Sequence, residues 1–148
     1  MKNHDLEISL VVEKSPAEAY AAINNVRGWW SEKIAEPTDK VGQEWVYRYK
    51  DIHYSKQKTL ELVTNKKVVW EVTDSRLSFT KDKDEWNGTH PTFEITKKAD
   101  KTEIRFTHQG LDSTVECFEA CTKGWDYYIN TSLKNLIETG VGKPNPQM

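Results

Sequence analysis

The sequence predicts an α+β domain: a curved antiparallel sheet of about six or seven strands wrapped around one long C-terminal helix, with two short helices after the first strand. Three observations lead there. From Gln43 to His108, apolar and polar residues alternate in run after run, separated by short turns, as in an antiparallel meander with one wet face. From Ser113 to Gly140 the period lengthens to that of a helix with one buried face. The order strand, helices, strands, helix then leaves the concave face of the sheet as the place where the last helix buries its apolar side.

The elements follow in turn. Leu6, Ile8, Leu10 and Val12 alternate with Glu7, Ser9, Val11 and Glu13, a first strand with one buried face. Ser15-Pro16-Ala17-Glu18 opens a helix: a capping serine, a proline where the missing N–H does no harm, and a glutamate able to reach back. Asn24-Asn25 ends it, Val26 to Trp30 forms a second short helix or turn, and Glu36 to Gly42 is loop. Trp45, Tyr47 and Tyr49 mark the inward side of the next strand. Leu60 and Leu62 mark that of the one after; Val68, Trp70 and Val72 follow, then Leu77 and Phe79, Phe93 and Ile95, and Ile104, Phe106 and His108. Turns are expected at Lys50-Asp51, Asn65 to Lys67, Asp74-Ser75, the charged run Lys81 to Glu85, and Lys98 to Lys101. The final helix has a capping box in Ser113-Thr114-Val115-Glu116 and a left-handed stop at Gly140, and Pro144 and Pro146 cannot extend it. Its length is about 26 residues, roughly 39 Å. Cys117, Phe118, Cys121, Trp125, Tyr128, Ile129 and Leu136 share a sector of roughly 120°.

Bulk properties narrow the functions. A chain of 148 residues suits a single domain, 1–148, with one core. It is 36% hydrophobic and 30% charged, with 6 Trp and 6 Tyr, which is globular and not disordered. A net charge of −2 without a basic cluster argues against nucleic acid, because a phosphate backbone calls for a positive field. No apolar run approaches the roughly 18 residues of a membrane helix, so no membrane insertion is expected. The N-terminus lacks an apolar signal core, and Cys117 and Cys121, four apart on a helix, suit free thiols better than a disulfide. Both features point to a cytoplasmic location. Without a secretory route, the glycosylation patterns at Asn87 and Asn130 carry no weight.

Several segments resemble a known superfamily. Asp84-Glu85-Trp86-Asn87-Gly88-Thr89, Phe106-Thr107-His108-Gln109-Gly110-Leu111, Cys121-Thr122-Lys123-Gly124-Trp125 and Ser132-Leu133-Lys134 are similar, with Ser15-Pro16 and Trp29-Trp30, to the SRPBCC (START/Bet v 1-like) superfamily. Within it, the chain looks most like the bacterial branch related to the C-terminal domain of the Hsp90 ATPase activator. The resemblance runs from about Leu6 to Pro144 and implies a helix-grip fold with a cavity between sheet and long helix. It also implies three kinds of function: holding a small hydrophobic ligand, docking on a chaperone-type ATPase as a co-chaperone, or catalysis of the cyclase or hydrolase type.

The residues favour the first. Trp30, Tyr47, Phe93, His108, Cys121, Trp125 and Tyr128 are expected to wall a ligand cavity, giving an apolar ring-lined space with a few polar tips. Lipid-like, flavonoid-like and polyketide-like molecules fit that description. Each ring taken singly also fits a filled core, and His108 also fits a satisfied structural histidine. No inward carboxylate orients His108, since Glu71, Glu94 and Glu103 fall on the outer parity, so no catalytic residue is assigned. Cys117, Cys121 and His108 fall short of the three or four ligands at set spacing that zinc requires, so no metal and no cofactor is expected. Cys117 and Cys121 are read as buried, inert thiols. Gly140-Val141-Gly142-Lys143 follows a helix where a phosphate loop would open one, and Lys81 to Glu85 reads as a solvated hairpin tip.

Overall fold

The computed structural model describes residues 5–31, 34, 38–49, 53–77, 86–112 and 118–143. Six strands form one antiparallel sheet: β1 (Asp5–Val12), β2 (Glu44–Tyr49), β3 (His53–Val63), β4 (Lys67–Leu77), β5 (His90–Lys98) and β6 (Lys101–Asp112). Their spatial order is β1-β6-β5-β4-β3-β2, so the first strand closes onto the last and the rest is a plain meander. Between β1 and β2 lie α1 (Pro16–Asn24) and α2 (Val26–Trp29). The chain ends in one helical rod with three parts: α3 (Phe118–Asp126), a π-helical segment (Tyr127–Leu133) and α4 (Lys134–Thr139).

Local chemistry accounts for most boundaries. Ser15 Oγ accepts from the Glu18 N–H at 3.2 Å and the Glu18 carboxylate accepts from the Ser15 N–H at 3.3 Å, completing the capping box of α1. Gly140 stops α4 with φ 87°. Asn65, at φ 61°, turns β3 into β4, a left-handed conformation that asparagine tolerates. The expected capping box at Ser113 to Glu116, and Cys117, Phe79, Lys50-Asp51 and the run Lys81 to Glu85, lie outside the described residues.

The sheet parity is largely as the alternation implies. Leu6, Ile8, Leu10 and Val12 are buried on β1, Val68, Trp70 and Val72 on β4, Phe93 and Ile95 on β5, and Ile104, Phe106 and His108 on β6. Glu94 and Arg105 face water, and Glu71 is half-buried. Two expectations are corrected. Asp74-Ser75 is not a turn: β4 runs through it to Leu77, because β3 begins at His53 and pairs His53 with Leu77 and Ser55 with Ser75. Leu60 does not point inward. It is 41% exposed, while Thr59 is fully buried, because the register of β3 against β4 slips between Thr59 and Glu61. A slip of one residue exchanges the faces of everything beyond it.

The terminal rod packs on the inner face. Trp125 lies 4.5 Å from the ring of Phe106, and Ile129, Leu133 and Ile137 continue the buried stripe. Within the π segment the Lys134 N–H reaches the Ile129 carbonyl, an i→i+5 bond. Ser132 also turns inward: its hydroxyl donates to the Trp29 carbonyl at 2.6 Å and accepts from the Lys143 N–H at 2.7 Å, tying α2, the helix and the tail together.

Candidate functional site

Trp30 stands at the centre of the space between sheet and helix. It belongs to neither wall; it caps α2. Its ring stacks on Tyr47 of β2 at 4.3 Å and Trp70 of β4 at 6.0 Å, meets Trp45 edge-on at 6.0 Å, and touches Trp125 of α3 at 4.8 Å and Tyr128 at 6.4 Å. The hydroxyls of Tyr47 and Tyr128, whose rings both adjoin Trp30, lie 3.4 Å apart. Tyr128 is only half-buried, so the aromatic cluster approaches solvent at this residue.

The second part of the site surrounds His108, fully buried on β6. The Trp125 indole N–H donates to His108 Nδ1 at 3.1 Å, and His108 Nε2 lies 2.8 Å from Thr89 Oγ1. Because Nδ1 accepts, the proton of the neutral ring sits on Nε2 and is donated to Thr89. Thr89 passes its own proton to the Trp86 carbonyl at 2.6 Å, which makes the chain of donors consistent from Trp125 to Trp86. Trp86 stacks on Trp125 at 5.9 Å, meets His108 edge-on at 4.7 Å, and donates its indole N–H to Cys121 Sγ at 3.3 Å. Cys121 is a buried free thiol.

Six of the seven expected residues thus form one continuous ring-and-polar-tip cluster. The seventh, Phe93, joins through Trp70 at 5.1 Å and Phe106 at 4.9 Å, one layer below Trp30. The side chains meet one another ring to ring. Two open surface hollows of about 470 and 460 Å³ lie elsewhere, one between α1 and α4 beside Leu136 and Gly140, the other beside Tyr20 and Arg27, and none of the seven lines them. Among the described residues no three His, Cys, Asp or Glu side chains gather as a metal site. No described helix is long and apolar enough to cross a membrane.

Sequence reasoning missed two contributors. Trp86 follows a charged run and has no strand alternation around it, so nothing local marks it as buried. Ser55, Gln57 and Thr59 form a buried polar row on β3, on the parity that the alternation of Leu60 and Leu62 assigns to water. Their burial follows from their neighbours: Trp45 and Tyr47 on β2 and Trp70 and Val72 on β4.

Residues 16–138 match the family described as Activator of Hsp90 ATPase homolog 1-like protein. The chain belongs to this family. It is an SRPBCC-type helix-grip domain, from a family of ligand-binding and co-chaperone-like domains. Among solved structures it is similar to the Aha1 dimer from Colwellia psychrerythraea, with 25% identity and a TM-score of 0.74, covering 96% of this chain and 100% of that one. It is also similar in fold to protein SSP2350 from Staphylococcus saprophyticus, with 15% identity, a TM-score of 0.70, and 97% and 99% of the two chains covered. Protein Mll3558 from Rhizobium loti shares the fold at 17% identity and a TM-score of 0.69, over 87% of this chain and 94% of that one. No curated protein sequence matches the chain closely.

Proposed function

We propose that this domain binds a small hydrophobic, ring-bearing molecule between sheet and C-terminal helix, against Trp30, Tyr47, Phe93, His108, Cys121, Trp125 and Tyr128. The observation that carries the reading is the position of Trp30. A single ring borne by a turn occupies the middle of the cluster, in contact with rings from both walls. A side chain on a turn can swing away without unpairing a strand, and the space it leaves is ring-shaped and lined by aromatic faces and Tyr hydroxyls, with His108 one ring further on behind Trp125. The π segment that carries Tyr128 supports the same reading, since widened turns concentrate at functional sites. The ligand would take the place of Trp30 within this cluster.

The test is an NMR titration with fatty acids, flavonoids and aromatic polyketides. Resonances from Trp125 to Tyr128 and around His108 should move, and the melting temperature should climb with ligand concentration. If every compound that binds maps to the outer face of the sheet, the reading fails.

A second reading has its own observation: 25% identity to an Aha1 protein over nearly the whole of both chains. On that reading the domain docks on an Hsp90-type ATPase. Its test is stimulation of ATP hydrolysis by Hsp90 on addition of the purified domain, and no change in rate would remove it.

A further inference from the structure

Beneath Trp30 the floor of the site is polar. On β3, Ser55, Gln57 and Thr59 all point into the core and are fully buried. Thr59 is accounted for: it accepts from the Trp45 indole at 3.1 Å and donates to the Thr38 carbonyl at 2.9 Å. Half of Gln57 is accounted for as well, since its amide nitrogen donates to Ser55 Oγ at 2.8 Å. The other half is not. Gln57 Oε1 is buried without a hydrogen-bond partner, and so is the indole Nε1 of Trp70.

These two orphans share one face of the sheet. Gln57 pairs with Val72 and Thr59 with Trp70, so Gln57 and Trp70 stand one diagonal step apart on adjacent strands, about 7–8 Å between backbones. Trp70 lies beneath Trp30 at 6.0 Å, and Trp45, opposite Gln57 on β2, meets both Trp30 and Trp70. Displacing Trp30 therefore bares the ring of Trp70, and Gln57 stands on the same face one diagonal step away. A buried acceptor and a buried donor left unpaired side by side are rare in folded proteins and call for a partner with the complementary pair. No described inward side chain on β2, β3 or β4 carries a carboxylate, ammonium, guanidinium or imidazole group, so the complement is neutral.

We propose that Gln57 and Trp70 form a recognition subsite for a neutral donor–acceptor edge, the cis-amide edge of a lactam or the face of a primary carboxamide, carried by the ring-bearing ligand. The ligand N–H donates to Gln57 Oε1, and the Trp70 indole N–H donates to the ligand carbonyl. The subsite rests on the cavity reading above and narrows its ligand class. With the Gln57 amide turned over, two donors would face the ligand, and an acceptor-only carbonyl compound would be preferred.

Isoquinolin-1(2H)-one and its N-methyl derivative separate these cases, since they differ in the donor alone. Both are titrated into the 15N-labelled protein, following the indole N–H signals. The lactam should bind about tenfold or more tightly than its N-methyl derivative, as expected when a buried acceptor goes unpaired, and should move the Trp70 indole signal. Gln57→Leu should abolish that preference while leaving the melting temperature unchanged or raised, because it removes an amide that is half unsatisfied in the free protein. Trp70→Phe should weaken binding of both compounds alike. Equal binding of the two to the wild type, or tighter binding of the N-methyl compound, overturns the subsite and leaves the cavity reading standing. A marked drop in melting temperature for Gln57→Leu with the preference intact also overturns it, since the amide is then satisfied within the fold. If neither compound, nor any of the lipids, flavonoids and polyketides, moves the Trp125 and Tyr128 signals, the cavity reading falls and the subsite with it.

Discussion

Truncating Trp30 to alanine tests the architecture of the site directly. The ring is 2% exposed and touches rings from β2, β4, α3 and the π segment. A tryptophan side chain buries about 150–250 Å², which at about 25 cal/mol per Å² corresponds to roughly 4–6 kcal/mol of transfer free energy. Alanine keeps a small part of this, and the cavity left behind adds a penalty, so the expected loss is about 3–5 kcal/mol. For a domain of this size that is a fall in melting temperature of roughly 6–20 °C. The assay is urea unfolding followed by far-UV circular dichroism, which does not depend on the deleted fluorophore. Added indole should then refill the space and return about 2.7 kcal/mol once its concentration reaches about a hundred times its Kd. A loss below about 1 kcal/mol, or a variant indifferent to indole, would refute the reasoning: Trp30 would not be the plug of a ring-shaped space.

Three further outcomes are expected. Ser15→Ala should cost about 1 kcal/mol by removing the cap of α1. The Glu18 carboxyl is held below its ordinary value by the hydrogen bonds from the Ser15 N–H and hydroxyl, so its share of stability is present above the ordinary glutamate value and fades as acid takes it through the lowered one. Chemical denaturation of wild type and variant from neutral to acid pH should accordingly show the gap between them narrowing in acid, and a constant gap would detach Glu18 from the cap. Gly142→Ala should destabilise by about 1–3 kcal/mol, because a Cβ there would overlap the Gly28 carbonyl oxygen; a neutral effect in thermal melts would show that the tail does not hold this path. His108→Leu should cost about 1–3 kcal/mol by stranding the buried Trp125 indole N–H, and an unchanged urea midpoint would dissolve the donor chain.

The fold was legible wherever one residue's neighbours along the chain determine its surroundings. The strict alternation of Leu6 to Val12 and of Ile104 to His108 gives the inner face without knowledge of the partner strand, because both strands run unbulged over those stretches. β3 was misread because its two register shifts are set by pairing with β4, which no local pattern encodes. The same holds for Asp74-Ser75: two turn-prone residues are carried inside a strand by the length of the β3–β4 hairpin, and local preference yields to tertiary pairing. At the site, the large rings announced themselves through composition and parity. Trp86 and Thr89 did not, because their roles depend on partners distant in sequence, Cys121 and His108.

The terminal helix shows how a sequence signal can be present and still be read with the wrong ruler. Cys121, Trp125, Ile129, Leu133 and Ile137 are all buried and stand four residues apart. On an α-helix, each step of four overshoots a full turn by about 40°, so these five positions would wander through roughly 160°. Such a stripe cannot face one sheet along a regular α-helix. The π segment resolves the conflict, since an i→i+5 turn takes more than four residues and rotates the stripe back toward the sheet. A sustained period of four thus encodes the π segment; at 100° per residue Leu136 falls in the buried sector, whereas the structure leaves it half-buried beside the buried Leu133 and Ile137. The widened turn falls where Tyr128 closes the ring cluster and where Ser132 reaches Trp29, next to Trp30 itself. The one irregularity of the rod therefore touches both the plug of the proposed site and its rim, so a shift of the segment toward α would turn Tyr128 and release the Ser132 bond together.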